Sequence, residues 1–586
     1  VAEFLHVVER RMKRLWEPVL FLFLSICLMG ISKNGGIPTV DGTGERTLAW
    51  HQLAFVYGIA FLVFAVLSYA LGFTNTSLRA CLGSSIKSVF RIDEKVAKTS
   101  QENVVFARIT LVFALCLGIW VRWSLIDQPM RLDESFSFLT FVNSIWSNVF
   151  LYPFPNNHVL NSILERLSCS IVGYSPLGIR LPAFIFGVWL IIVVHGLAKK
   201  LGNDYSGLFA PVTVAVWPYL VFFSTNGRGY SLVAFLVAAI AYVAINQDGR
   251  VLKSRVLGVS ILAALGMLAI PSMLIAVCGL LLWMTIVMWL QTRRRRSVCV
   301  DLIAPFTALF VAFTLLLYTP VALVSGGLEG VMANKESNPL PLMQFAHQAL
   351  PHAALTINSL LADIPLVVAA LCLALAAYGM YSSWQKRNYA AAMLCPAVIV
   401  GGVVFFLIKR SIPFPRTWMF LIPIVLVAAD VGFAHLMDWM PTHVRKLVAA
   451  TGLTVSLLFA RSLVARDTIT HYPETGIALD AEEMAKAFSR IAHANDRICG
   501  SLPENGSIAY ELQRLVKDHP AEDDREATRL FWLHKKPTRP TRGLQDGWRT
   551  VVETDYMTAD MWMLGDAPDV TKDLDCWPLK AVYYNR

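Results

Sequence analysis

A succession of long apolar runs, divided by short basic clusters, constrains this chain more than any other feature. The runs lie at roughly 18–32, 50–72, 104–124, 177–198, 207–223, 230–246, 257–270, 273–291, 301–324, 364–383, 389–408, 418–437 and 447–463. A helix needs about twenty apolar residues to cross the hydrocarbon core of a bilayer, within a range of about 17–25. The pattern therefore predicts a polytopic α-helical membrane protein of about thirteen transmembrane helices. Composition agrees, with 56% hydrophobic residues, 16% charged residues and a mean hydropathy of +0.54. Those values are not those of a soluble globule. The first run follows charged residues but has no convincing small-residue cleavage site, so it reads as a span rather than a removed signal.

The net charge of +10 does not point to nucleic acid, because the positive residues cluster between spans. With the N-terminus inside, inner connections hold 22 Lys and Arg over about 89 residues, and outer ones about 9 over about 125. That asymmetry predicts a cytoplasmic N-terminus and an outer C-terminal region in a plasma or inner membrane. Three parts follow. Residues 1–103 hold a basic surface helix, two spans and a basic inner loop. Residues 104–463 hold the remaining spans, with a long outer loop at 125–176. Residues 464–586 are polar and read as a small extracytoplasmic α/β domain. Within it a helix opens at Asp480, and Ser507–Tyr510 and Ala581–Tyr584 read as strands. Ten cysteines show no zinc spacing. Cys499 and Cys576 can form a bridge in an oxidising compartment, or remain two buried thiols.

Candidate chemistry lies on the outer face. Asp133 and Glu134 follow the span ending near Ser124, and Asn157-His158 comes some twenty-five residues on. Adjacent carboxylates can act as acid and base or bind a metal; more often such a pair only solvates a loop. Here Phe136–Val142 and Asn161–Leu167 read as interfacial helices that would press the pair onto the span ends. Arg228 sits in a tight outer turn before Tyr230, and Lys409, Arg410 and Arg416 in another. Each arginine can pair with a lipid phosphate or merely anchor at the interface. Arg108, Arg122, Arg180, Asp430 and Arg461 fall near span ends, where snorkelling suffices. A coupled transporter wants ionisable groups at mid-bilayer, so the pattern favours an enzyme acting on a lipid-borne substrate.

Five segments then match one family in order and spacing. They are Leu132-Asp133-Glu134 after a span, Asn157-His158-Val-Leu160, Ile179-Arg180-Leu-Pro182, Ser224 to Arg228-Gly-Tyr230, and Arg416 ahead of Phe420-Leu-Ile-Pro423. Over about 104–463 the chain resembles the GT-C superfamily of membrane glycosyltransferases, in particular the group of protein O-mannosyltransferases and the bacterial lipid A aminoarabinose transferase. Two departures stand out: His158 lacks the prolines that often follow it in relatives, and two extra spans precede the family's first helix. The resemblance implies a polyprenyl-phosphate-linked sugar as donor, and an envelope glycan such as lipopolysaccharide, a lipid or a protein as acceptor. It implies Asp133 as general base, Glu134 orienting the acceptor, and Arg228, Arg416 and His158 on the donor phosphate. Asn157, Tyr230, Arg180, Lys409 and Arg410 would line the pocket. A single inverting displacement needs no protein nucleophile and no resident cofactor or metal, although a divalent cation at Asp133 and Glu134 stays open. The alternatives are a lipid-linked-glycan flippase and a non-catalytic sensor.

Overall fold

The structure is a computed structural model. It describes residues 101–491, except 154, 247–249, 252–254, 294–297, 328–330 and 332–337, together with 497–500, 504–515, 529–535, 549–553, 557–563 and 576–578. The two N-terminal runs, the basic residues before them and Ala581–Tyr584 lie outside the described residues.

Helix α1 (Gln101–Ser124) leads into a long loop that carries α2 (Leu132–Ser137) and α3 (Val159–Val172). Then come α4 (Pro176–Leu201), α5 (Ala210–Val216), α6 (Pro218–Ser224), α7 (Tyr230–Ala244) and α8 (Val256–Ala269). The bundle continues through α9 (Met273–Thr292), α10 (Ala304–Val324), α11 (Leu342–Leu360) and α12 (Leu366–Gln385). It ends with α13 (Tyr389–Lys409), α14 (Leu421–Trp439) and α15 (Thr442–Ala465). Among the described residues, eight helices are long and apolar enough to cross a membrane: α1, α4, α9, α10 and α12 to α15. α7 and α8 are apolar but shorter. The chain is a multi-pass membrane protein.

The run at 207–223 does not form the single span expected of it. Pro218 lacks an amide hydrogen and biases the residue before it away from helix. Trp217 is accordingly extended, at φ −64° and ψ 117°, and the run splits into α5 and α6. A break at membrane depth is tolerated only where protein satisfies the freed backbone. Arg122 does this at the end of α5, donating to Ala215 O (2.8 Å) and Val214 O (3.4 Å), and to Ser224 Oγ (2.8 Å). Asp430 does it at the start, accepting from the amides of Gly207 (2.6 Å), Phe209 (2.8 Å) and Ala210 (2.8 Å). An anion at the N-terminus and a cation at the C-terminus also match the helix dipole. Arg122 and Asp430 are therefore buried braces and do not snorkel.

α9 packs most closely on α13, and α12 on α14. Small residues permit such approach where lipid supplies no hydrophobic drive between helices. A Cβ on Gly432 of α14 would stand 2.0 Å from Leu375 O of α12, so the two backbones are in contact there. An apolar cavity of about 590 Å³ lies between α1, α5, α12, α14 and α15, lined by residues such as Trp217, Leu375, Phe433 and Phe459.

Beyond α15 come α16 (Ala481–Phe488), which starts after Asp480 as expected, and α17 (Glu504–Leu515). Ser507–Tyr510 is helical within α17, not a strand. Ile508 and Leu512, four residues apart, are both fully buried, which is helical spacing. α17 packs against α2, and Phe138 meets Tyr510 edge-on at 5.5 Å. Among the described residues, five strands form one mixed sheet in the order β3-β4-β2-β1-β5. They are β1 (Arg497–Gly500), β2 (Arg529–Lys535), β3 (Arg549–Glu553), β4 (Met557–Met563) and β5 (Cys576–Pro578). β1 and β2 are parallel; the other pairs are antiparallel.

The register sets Cys499 directly opposite Cys576. Opposed residues in an antiparallel pair have Cα atoms about 4.5–5.5 Å apart, inside the roughly 4.4–6.8 Å that a disulfide spans. A bridge is expected in an oxidising compartment, adding roughly 2–4 kcal/mol by closing a long loop. Mass mapping of non-reduced peptides should return the linked pair; two free thiols in freshly purified protein would refute it.

Candidate active site

Asp133 and Glu134 are neighbours in sequence, but residues one apart on a helix point about 100° apart. The first turn of α2 therefore sends them to different places. Glu134 faces inward and is fully buried. Its Oε2 accepts from Gly227 N (2.7 Å) and Arg180 Nε (3.0 Å). Its Oε1 accepts from Arg131 N (3.0 Å), at the helix cap, and from Arg180 Nη2. Arg180 gives its other hydrogens to Ile126 O (2.6 Å), Gln128 O (2.6 Å) and Pro129 O (3.1 Å). Glu134 and Arg180 are thus a closed, buried pair. Neither offers a free edge to an acceptor, an ion or a pocket, contrary to the expectation for both. Gly227 is required here, since a Cβ on it would stand 2.6 Å from Ile179 Cγ2 and 3.1 Å from Glu165 Oε1. Burial holds the Glu165 carboxyl well above its usual range, which spares Glu134 a second negative neighbour.

Arg228 is also more enclosed than its turn suggested. Nη1 donates to Asn156 O (2.9 Å), Asp133 O (3.2 Å) and Ser137 Oγ, and Nη2 to Asn156 Oδ1. It braces α2 against the 155–158 segment. His158 Nδ1 accepts from Gly229 N (3.0 Å), and Nε2 stands 3.1 Å from Arg228 Nη2. Burial, then the charges of Arg228 and Arg416, hold His158 well below the usual imidazole range. A neutral ring that accepts at Nδ1 carries its proton on Nε2. A ring that accepts at Nε2 from Arg228 carries its proton on Nδ1 instead, so one of the two donors, Gly229 N–H or Arg228 Nη2, is left without an acceptor on the ring. Asn157 is saturated by Val149 O (2.9 Å), Leu151 O (2.7 Å) and Ser162 Oγ (2.8 Å), so it holds the loop rather than lining a pocket. Lys409 is exposed at the end of α13. Arg410 accepts from Leu340 N at 2.8 Å through its backbone oxygen. Neither side chain joins the cluster below by a hydrogen bond or ion pair among the described residues.

Asp133 points the other way, toward solvent, with its side chain 18% exposed. Its Oδ2 accepts from Arg416 Nη2 at 2.9 Å. Arg416 Nε donates to Tyr230 Oη (2.9 Å), and its guanidinium lies over the Phe414 ring at 4.1 Å. Arg416 Nη1 lies 3.7 Å from Glu474 Oε1, and Tyr219 Oη donates to Glu474 Oε2 at 2.6 Å. Burial raises Glu474 above the usual carboxylate range, and Asp133 adds to this; Tyr219 and Arg416 oppose it.

Sequence reasoning missed Glu474. The available signal was a carboxylate in a Pro473–Gly476 turn just past the last span. A buried Arg131 holds that turn in place, donating to the carbonyls of Ile469 (3.0 Å), Thr470 (2.8 Å), Tyr472 (2.6 Å) and Glu474 (3.1 Å). The backbone completes the clasp through Leu132 N to Gly476 O (3.1 Å) and Asp133 N to Thr475 O (3.2 Å).

A divalent cation at the acidic pair does not fit this arrangement. Asp133 and Glu134 diverge and each is held by its own arginine, and no group of three His, Cys, Asp or Glu converges among the described residues. The open groups are a carboxylate that can accept a proton and a guanidinium that can bind an anion.

No family model matches the chain, and no curated protein matches it in sequence. Its fold is similar to apo ArnT from Cupriavidus metallidurans, with a TM-score of 0.51 and 13% identity over 78% of this chain and 98% of that one. ArnT bound to undecaprenyl phosphate aligns at 0.47 and 12% identity, over 78% and 97%. The Archaeoglobus fulgidus oligosaccharyltransferase tethered with an acceptor peptide aligns at 0.42 and 12%, over 72% and 60%. The match to apo ArnT shows that this chain shares its fold.

Proposed function

We propose that this protein is a membrane glycosyltransferase that moves a sugar from a polyprenyl-phosphate donor to an acceptor on the outer face. The observation that carries the reading is the Asp133–Arg416 contact, 2.9 Å long and partly open. It joins a base to an anion-binding group at the end of an apolar bundle, where a lipid-borne phosphate would arrive. Asp133 takes the proton of an acceptor hydroxyl or amine as that atom attacks the anomeric carbon. The sugar–phosphate bond breaks, and the departing lipid phosphate keeps the electron pair. Arg416 binds that phosphate and stabilises its growing charge. Arg228 and His158, which lie 3.1 Å apart beside the Asp133 turn, offer a second contact to it. Acceptors of three classes suit this chemistry: an envelope glycan such as lipopolysaccharide, a lipid, or a protein. The charge asymmetry of the loops supports a cytoplasmic N-terminus and an outer C-terminal sheet.

Transfer of radiolabelled sugar from a polyprenyl-phosphate donor by purified protein tests this reading, and donor translocation without transfer would refute it. A variant sharpens the test. Arg416→Lys keeps the charge but cannot serve Asp133, Tyr230 and a phosphate from one planar fork. Donor affinity and turnover should both fall about tenfold or more, the scale of one lost charge-assisted hydrogen bond. Normal values for both would mean that Arg416 only anchors the loop. Arg228→Lys should lower thermal stability as well as donor affinity, because Arg228 ties Asn156, Asp133 and Ser137 together.

A further inference from the structure

Arg416 lies between two carboxylates. Asp133 accepts one of its hydrogens at 2.9 Å, and Glu474 faces another at 3.7 Å. With both acids ionised, one cation and two anions leave the trio with a single negative charge. Two further cations lie near it, Arg228, which donates to the Asp133 carbonyl at 3.2 Å, and Arg131, but among the described residues neither makes an ion pair with Asp133 or Glu474. Tyr219 is neutral, and Tyr230 is engaged by Arg416 Nε. Arg131 reaches the backbone carbonyl of Glu474 at 3.1 Å, not its carboxylate. His158 is held neutral. The side chains of Asp133 and Glu474 are each 18% exposed and that of Arg416 9%, so solvent screens the trio weakly. An anion arriving at Arg416 meets the nearby negative charge of Glu474, and neutralising that acid removes the repulsion.

We propose that Glu474 is a positioning residue that makes phosphate binding at Arg416 proton-linked: when a singly charged phosphodiester binds, Glu474 takes one proton from solution and becomes a neutral carboxylic acid. The step is a carboxylate plus a hydronium ion giving an acid plus water, with no bond to the ligand. Tyr219 still donates to Oε2, and the new O–H can donate from Oε1 into the space beside Arg416. The group that repelled the anion then holds it. The inference rests on Arg416 being the partner of the lipid phosphate, and it adds a regulation of that site.

The sign follows from linkage. The protonated form favours the bound state, so affinity is highest at low pH and falls as pH rises through the titration of Glu474, by at most about tenfold per pH unit. A long-chain alkyl methyl phosphodiester is the suitable probe, because it lacks the second ionisation near pH 6 that a phosphomonoester has. Affinity of the full-length protein for it, between about pH 6 and 9, should fall with pH for the wild type. Glu474→Gln should give a flat profile and bind more tightly than wild type at the alkaline end. Calorimetry in buffers of different ionisation enthalpy should show wild-type protein taking up close to one proton on binding, and the Gln variant none. A flat wild-type profile, or an equal slope in the Gln variant, overturns the proton link and leaves Arg416 as phosphate partner. Failure of the wild type to bind the diester at any pH overturns that assignment as well. If the Gln variant does not fold, wild-type proton uptake decides alone, and zero uptake refutes the inference.

Discussion

Asp133→Asn should lower the rate of sugar transfer by about a hundredfold or more, the usual scale for losing a positioned general base. The amide keeps the shape of the side chain but cannot accept the acceptor's proton. Its effect on folding should be small, because Asp133 is partly exposed and makes one side-chain ion pair, to Arg416. Arg416 also keeps Tyr230 and Glu474 as partners. Donor binding should therefore survive while turnover does not. A wild-type transfer rate would remove Asp133 from the mechanism.

Glu134→Gln should do the reverse. The variant leaves Arg180 buried with a full positive charge and no counter-charge. Breaking one partner of a buried pair typically costs about 3–5 kcal/mol. The amide nitrogen would also face donors from Arg180, Gly227 or Arg131, whichever way it is turned. The expected result is a lower melting temperature and poor yield, with activity lost in proportion to folded protein. Replacing Arg180 by Met in the same chain should recover part of the loss, since pairs in contact are not additive. A stable Glu134→Gln protein with no activity would return Glu134 to the reaction itself.

The opposite forecasts for two adjacent acids show what could be read from the sequence and what could not. Span positions were legible because hydrophobic length is a local property, and α12 to α15 fall where the runs predicted. The break at Pro218 was visible as a proline, but the apolar run around it outweighed the signal. Asp133, Tyr230 and Arg416 do meet, as their places on outer loops suggested. Glu134, Arg228 and Asn157 are polar residues in the same loops and Arg180 lies at the start of α4, yet they hold the loops together. Nothing in a list of residue types separates a brace from a reactant. The difference lies in which way a helix turn points and which carbonyls lie nearby. Glu474 was out of reach for another reason: it joins Asp133 from the far end of the bundle, through a turn whose position depends on Arg131.

The clasp made by Arg131 has a consequence in time. Its partner Tyr472 is 341 residues further along the chain. At about 5–20 residues per second, a ribosome takes on the order of half a minute to cover that distance. Throughout that interval the loop that carries α2 has been made, but its anchoring carbonyls have not. Asp133 then lacks the backbone acceptor at Thr475, and Arg416 and Glu474 arrive only near the end. A chain still emerging from the ribosome therefore has its early helices but not the cluster of Asp133, Arg416 and Glu474. The cluster is completed only after α15, so a chain truncated before residue 469 should insert into the membrane yet lack the proposed sugar transfer.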